Sequence, residues 1–349
     1  MSVKHLQPGE IQVTVLSKCT FSISSMAQIF DILAIGNAIV DVICLIDDDF
    51  LKVNQLVKGA ATLVDETVSE SLYQQLAPML FSAGGSAANS LAGIASFGGK
   101  TGYIGRIKND VLGQIFVQYI RQDGTDYFTK PARSGPATAR CLVFVSPDAQ
   151  RTMQTYLGAS IDLTIHDIDL TAVKSSKVLL IESYLFDPPH GKDVVLKTVE
   201  LAKNSGNKVA LGASDFCCVD RHKQALEHFI PNYVDVLFAN EKEAFSLTKK
   251  HTIEDAAKEL QGLAPLTVFT IGEQGALIIT PKEIIEAPPP TISQVVDTGG
   301  AGDQYAGGFL YAYANNLPLQ DCIHYANIAA AEALSHLGPR PRKSLKALL

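Results

Sequence analysis

Patterned cysteine is missing from this chain. Of Cys19, Cys44, Cys141, Cys217, Cys218 and Cys322, none stands in Cys-x-x-Cys spacing, and the only neighbours are Cys217 and Cys218. That argues against a disulfide framework and fits thiols used as small apolar side chains in a reducing compartment, so a cytoplasmic location is expected. The eight histidines show no metal-ligand spacing such as His-Glu-x-x-His. Positive charge is in deficit, 29 Lys and Arg against 36 Asp and Glu, for a formal net charge of −7. A general nucleic-acid binder would show a basic patch, so none is expected as a partner, although a nucleotide ligand stays open. No apolar stretch is long and uninterrupted enough to span a bilayer, and no membrane partner is expected. No Gly-x-Gly-x-x-Gly follows the first apolar run, which counts against a dinucleotide-binding oxidoreductase. Internal repeats and separating linkers are also absent.

What is present is a globular composition, 47% hydrophobic and 19% charged over 349 residues, enough to bury a sizeable core. Lys4, Glu10 and Lys18 interrupt any apolar core in the first 30 residues, and periodic structure begins at about Phe30, just after Met26. Residues 1–29 are therefore expected to be an appended segment outside the fold, and 30–349 the folded domain.

Phe30-Asp-Ile-Leu-Ala-Ile-Gly36 reads as a buried strand, followed by Asn37, Asp41 and the run Val42–Ile46. Polar residues where a strand leaves a sheet suit ligand contact, and they equally suit a turn. Thr67 to Leu80 has helical periodicity. Gly84-Gly85-Ser86 then opens a helix of small residues that stops at Gly98-Gly99, with Asn89 one turn after Gly85. Pro147-Asp148 between two β-rich runs, 138–145 and 151–156, signals a hairpin. Segments within about 42–64 and 138–157 are expected to form a small β lid. Arg140 and Arg151 on the hairpin can meet phosphate or remain solvated. From Lys177 onward strands and helices alternate, which predicts an α/β fold with a mostly parallel sheet and helices on both faces.

Three features fall at predicted C-terminal strand ends, where open parallel sheets bind ligands. Asn240 and Glu243 suit the water shell of a divalent cation, or form an ordinary capping box. The turn Thr270-Ile-Gly-Glu-Gln-Gly275 lets a nucleotide approach the backbone, or closes a hairpin. Asp297-Thr-Gly-Gly-Ala-Gly-Asp303 puts a glycine turn before a helix. Unpaired N–H groups at a helix start suit an anion, and Asp303 is either a general base or an N-cap.

Gly84-Gly85-Ser86-x-x-Asn89, Asn240-x-x-Glu243 and Asp297-Thr-x-Gly-Ala-Gly-Asp303, in that order, resemble the PfkB, or ribokinase-like, carbohydrate kinases from about residue 30 to 340. Within that family Gly36-Asn37-x-x-x-Asp41, Thr138-Ala-Arg-Cys141 and Arg221-His222 look most like the bacterial adenosine-kinase branch. The resemblance implies a ribokinase-like fold and ATP-dependent phosphorylation of the adenosine 5′-hydroxyl. Alternatives are a kinase for ribose, fructose or a related sugar, and a non-catalytic nucleoside-binding protein. It implies Asp303 as base and Gly300, Ala301 and Gly302 as an anion hole. Asp41, Gly85 and Asn89 would hold the acceptor's ribose, Tyr184 would pack on its base, and Asn37 and Arg151 join them as acceptor-side candidates. Asn240, Glu243, Thr270, Gly272 and Gly275 would serve ATP, with Mg2+ held through water at Glu243. A monovalent cation such as K+ would sit at Asp297. Gly299 stands where many relatives carry a side chain, which predicts a looser turn. A monomer or homodimer is expected.

Overall fold

The computed structural model describes residues 29–148 and 150–349; the expectation for the N-terminal segment, Ile29 apart, lies outside them. Fourteen strands alternate with helices among the described residues. In chain order these are β1 (Phe30–Ile35), β2 (Ile39–Leu45), β3 (Ala61–Leu63), β4 (Leu80–Gly84), β5 (Thr101–Ile104), β6 (Thr125–Tyr127) and β7 (Ala139–Val145). They continue as β8 (Arg151–Tyr156), β9 (Ser176–Glu182), β10 (Lys208–Gly212), β11 (Val236–Asn240), β12 (Leu266–Thr270), β13 (Ala276–Ile279) and β14 (Ile284–Ala287).

Nine strands form the main sheet in the order β14-β13-β12-β11-β10-β9-β1-β5-β6, parallel from β12 through β6 and antiparallel at the β13–β14 edge. The aliphatic runs fit this because the central strands are covered on both faces. In β1, Ile32 and Ala34 pack with Leu91, Ile94, Phe309 and Leu310, from the helices Ser86–Ser96 and Ala301–Ala314. Leu33 and Ile35 pack the other way, with Val194 and Val199 of the helix Gly191–Asn204 and with Leu226 of Phe216–Tyr233. Alternation along one strand thus fixes two helical layers. No helix among the described residues is long and apolar enough to cross a membrane.

A second sheet, β3-β8-β7-β2-β4, lies beside the first. It takes in Leu80–Gly84, a stretch whose beginning the helical reading of Thr67 to Leu80 had absorbed. The helix is shorter, Glu66–Tyr73, with Asp65 as its N-cap. Pro78 follows, and the chain re-enters as a strand that delivers Gly84-Gly85 straight into the next helix. Register sorts the arginines of this sheet. Asp41 pairs with Cys141, so Arg140, paired with Val40, points to the opposite face. There it donates to Ser69 Oγ at 2.7 Å and Glu70 at 2.7 Å and stacks over Tyr73. Arg140 therefore braces the second sheet from the face opposite Asp41.

Candidate active site

Because the central strands are parallel, β1, β9, β10, β11 and β12 end at one edge, and they present Asn37, Glu182, Gly212, Asn240 and Thr270 there. The helix Ala301–Ala314 begins at the same edge. Gly300 precedes it with φ +78°, and a Cβ there would run into Pro339. Only glycine combines that left-handed backbone with that closeness. The first-turn N–H groups of Gly302 and Asp303 have no partner within the described residues, as expected at a helix start. They leave an anion-binding end beside a carboxylate.

Asp303 is partly buried and held from the facing helix: Ser86 Oγ donates to Oδ1 at 2.7 Å and Asn89 Nδ2 to Oδ2 at 2.9 Å. Asn89 sits where Asp303 needs it because Gly85, at φ +95°, turns the chain into the helix. A Cβ at Gly85 would lie 2.5 Å from the Asn37 carbonyl oxygen. Burial pushes the Asp303 carboxyl above its ordinary range, opposed by Ser86, Asn89 and the charge of Arg340. A carboxylate held in this way at a helix start is the kind of group that serves as a general base.

Two cavities meet here. One, of about 170 Å³, is lined by Ser86, Glu182, Glu243, Gly300 and Asp303; the other is an open cleft of about 1010 Å³ bordered by Gly272, Gly275, Pro289 and Tyr305. Asn240, Thr270 and Gly302 line both, so the start of the helix Ala301–Ala314 stands at their junction. The larger cleft brings together Asn240, Thr270, Gly272 and Gly275. Asp41 lies on β2 of the second sheet; burial raises its carboxyl to about 6, against the pull of Arg340 and Arg151. Asn37 Oδ1, Arg151 Nε and Arg340 Nη2 are among the buried polar atoms that have no hydrogen-bond partner within the described residues. Tyr184 sits half-buried in the short turn Ser183–Phe186 near Asp215; like Asn37, Asp41, Gly85, Asn89 and Arg151, it does not line either of these two cavities.

Asn240 and Glu243 do form a capping box. Asn240 N donates to Glu243 Oε2 at 2.8 Å, Asn240 Nδ2 to Oε1 at 2.6 Å, and Glu243 N to Asn240 Oδ1 at 3.1 Å. Each Glu243 oxygen accepts one bond, which leaves capacity for water around a hard cation. The pair thus fits Mg2+, which would neutralise charge on a transferring phosphoryl group. Asp297 does not fit a monovalent cation in the same way. Arg151 Nη1 meets both of its oxygens, at 3.0 and 2.8 Å, and the N–H groups of Gly299 and Gly338 take the remaining positions. The Gly299 turn is correspondingly tied down rather than loose.

Two residues escaped the sequence reading. Glu182 accepts from Asn37 N at 2.6 Å and Ala87 N at 3.1 Å, clamping the first strand's exit to the Asn89 helix. Arg340 donates through Nε to Asn89 Oδ1 at 3.2 Å and pairs with Asp123. Its bond to the carbonyl side of Asn89 leaves the amide side facing Asp303. Arg340→Met is expected to lower kcat about 10- to 100-fold by releasing that alignment. It should also move the acid limb of the rate profile to higher pH, because Asp303 loses a nearby cation; Arg340→Lys should recover part of both. An unchanged pH profile would contradict this role.

Burial also raises Glu182 and Glu243, each to about 7. Raised carboxyl values favour the folded state when protonated. This contribution is complete below the ordinary values, 3.8 for Asp41 and 4.5 for the glutamates, and is lost as pH rises through about 6 and 7. Asp187 and Asp235, held low by their ion pairs despite burial, act oppositely only under more acid conditions. The ligand-free protein should therefore melt at higher temperature near pH ~5.5 than near pH ~8. A melting temperature that climbs over that interval would contradict the raised values.

A glycine turn, an opposed carboxylate and two joined cavities at a parallel sheet edge define a phosphotransferase site in a ribokinase-like fold. The family model for pfkB family carbohydrate kinases matches residues 56–345, and the chain belongs to that family. Among solved structures, the adenosine kinase from Sinorhizobium meliloti is 39% identical, with TM-score 0.85, over 91% of this chain and 98% of that one. A probable sugar kinase from Rhizobium etli is 40% identical, with TM-score 0.86, over 93% and 98%. The 5-dehydro-2-deoxygluconokinase of Geobacillus kaustophilus is 26% identical over 72% of this chain and 78% of its own length.

Proposed function

We propose that this kinase transfers the γ-phosphoryl group of ATP to the 5′-hydroxyl of adenosine, giving AMP and ADP. The observation that carries the transfer is Asp303 at the open helix start, gripped by Ser86 and Asn89 where the two cavities join. ATP lies along the Gly272–Gly275 side with its phosphates at the Gly300–Gly302 turn, and the acceptor lies under the lid between Asp41, Gly85 and Asn89. Asp303 takes the hydroxyl proton, and the turn's N–H groups stabilise charge on the phosphoryl oxygens. Mg2+ associates with Glu243 through water. The choice of adenosine is supported by the 39% identity to the Sinorhizobium enzyme over nearly the whole chain. A cytoplasmic setting accords with the free thiols of the five cysteines among the described residues.

A second reading, a sugar or sugar-acid kinase, is favoured by one feature: two arginines, Arg151 and Arg340, lie close enough to Asp41 to act on its carboxyl. An ADP-release assay across adenosine, inosine, ribose, fructose and 5-dehydro-2-deoxygluconate separates the two. Preference for adenosine is expected; turnover confined to the sugars would replace it with the second reading, and a protein that binds nucleoside without releasing ADP would reject catalysis.

A further inference from the structure

We infer that Arg151 takes the place of a monovalent cation at Asp297, so that catalysis is independent of K+ and the charge that completes the anion-hole turn arrives with the lid. The inference rests on the phosphotransferase reading for its catalytic part only.

Asp297 is 3% exposed in its side chain, and a carboxylate that deeply buried needs its charge answered. Four contacts answer it. Oδ1 accepts from Arg151 Nη1 at 3.0 Å and from Gly299 N at 2.9 Å; Oδ2 accepts from Arg151 Nη1 at 2.8 Å and from Gly338 N at 2.8 Å. A carboxylate offers about four accepting sites, so none is left to ligate an ion. A second cation at the same carboxylate would meet the guanidinium's positive charge at close range.

Gly299 makes this possible. A Cβ at that position would collide with Arg151 Nη1, so the absent side chain is the space the guanidinium uses. A glycine that looked like a weakness of the turn is the socket for its counter-charge. Arg151 comes from β8, at the start of the strand, opposite Val145 on the cleft-facing side of the lid with Val143 and Cys141. Asp297 lies three residues before Gly300, and its bond to Gly299 N braces the intervening turn. The lid and the anion hole are thereby joined through one ion pair that is 19% and 3% exposed on its two sides.

The test compares wild type, Arg151→Ala and Gly299→Ser in K+, Na+ and choline chloride at equal ionic strength, so that general screening is constant. Turnover with ATP and adenosine is one readout; melting temperature without substrate is the other. Wild type should differ by no more than about twofold in rate between K+ and choline and show no K+-specific shift in melting, because the site is already filled. Arg151→Ala should lose about tenfold or more in choline and recover part of that in K+, with a K+-dependent rise in melting temperature. Gly299→Ser, which displaces Arg151 without deleting it, should gain the same response and serves if the alanine variant does not fold. Several-fold activation or clear stabilisation of wild type by K+ overturns the inference, and so do variants that weaken without gaining a K+ response. If wild type turns over no acceptor at all, the phosphotransferase reading fails, while the melting comparison still decides what occupies Asp297.

Discussion

Asp303→Asn is expected to reduce kcat by about 10²- to 10⁴-fold, with little change in affinity for ATP or nucleoside. The substitution keeps size and removes the proton acceptor. The surroundings can accommodate it: the amide oxygen can face Asn89 Nδ2, whose orientation Arg340 fixes, and the amide nitrogen can donate to Ser86 Oγ, a hydroxyl able to accept as well as donate. Folding should therefore survive, and loss of a buried charge removes a desolvation cost. The informative pattern is lost turnover with retained binding, read by steady-state kinetics beside calorimetric titration of nucleoside. Near-normal turnover would remove Asp303 from the role of base. Loss of both binding and rate would make its contribution structural.

Gly300→Ala is expected to cost about 10²- to 10³-fold in kcat, the range seen when a donor to developing negative charge is lost. The reasoning is steric. At φ +78° an L side chain is strained, and its Cβ would enter the space of Pro339. Relief requires the turn to move, which re-aims the N–H groups of the helix start. The acceptor contacts proposed for Asp41, Gly85 and Asn89 lie on other elements and should hold, so affinity for the proposed nucleoside should change far less than rate. An alanine variant with wild-type kcat would show that the helix start does not stabilise the transferring group.

Much of the site is legible in the sequence because it is local. Gly84-Gly85-Ser86-x-x-Asn89 and Asp297–Asp303 each carry their backbone demands and functional atoms within seven residues or fewer, and each opens a helix as read. The capping box at Asn240 and Glu243 is similarly self-contained. What brings the motifs together is not local. Glu182 looks like the last residue of an aliphatic strand; its role depends on Asn37 and Ala87, 145 and 95 residues away. Arg340, 251 residues from Asn89, sits in Gly338-Pro339-Arg340-Pro341, where the flanking prolines give the only hint that its backbone is fixed for a purpose. Arg140 and Arg151 look alike in sequence, and only strand register, with Arg140 beside Val40 and Arg151 beside Val145, puts one behind the lid and the other in the cleft.

The central claim is transfer between ATP and a nucleoside hydroxyl at a site built around Asp303. Its most direct test is incubation of the protein with adenosine, Mg2+ and ATP radiolabelled in the γ-phosphate, followed by separation of the products. The label is predicted in AMP, in amounts equal to the ADP formed, and absent from the products of Asp303→Asn over the same interval. Label that stays in ATP or appears as free phosphate, or AMP labelled equally by Asp303→Asn, would contradict the claim.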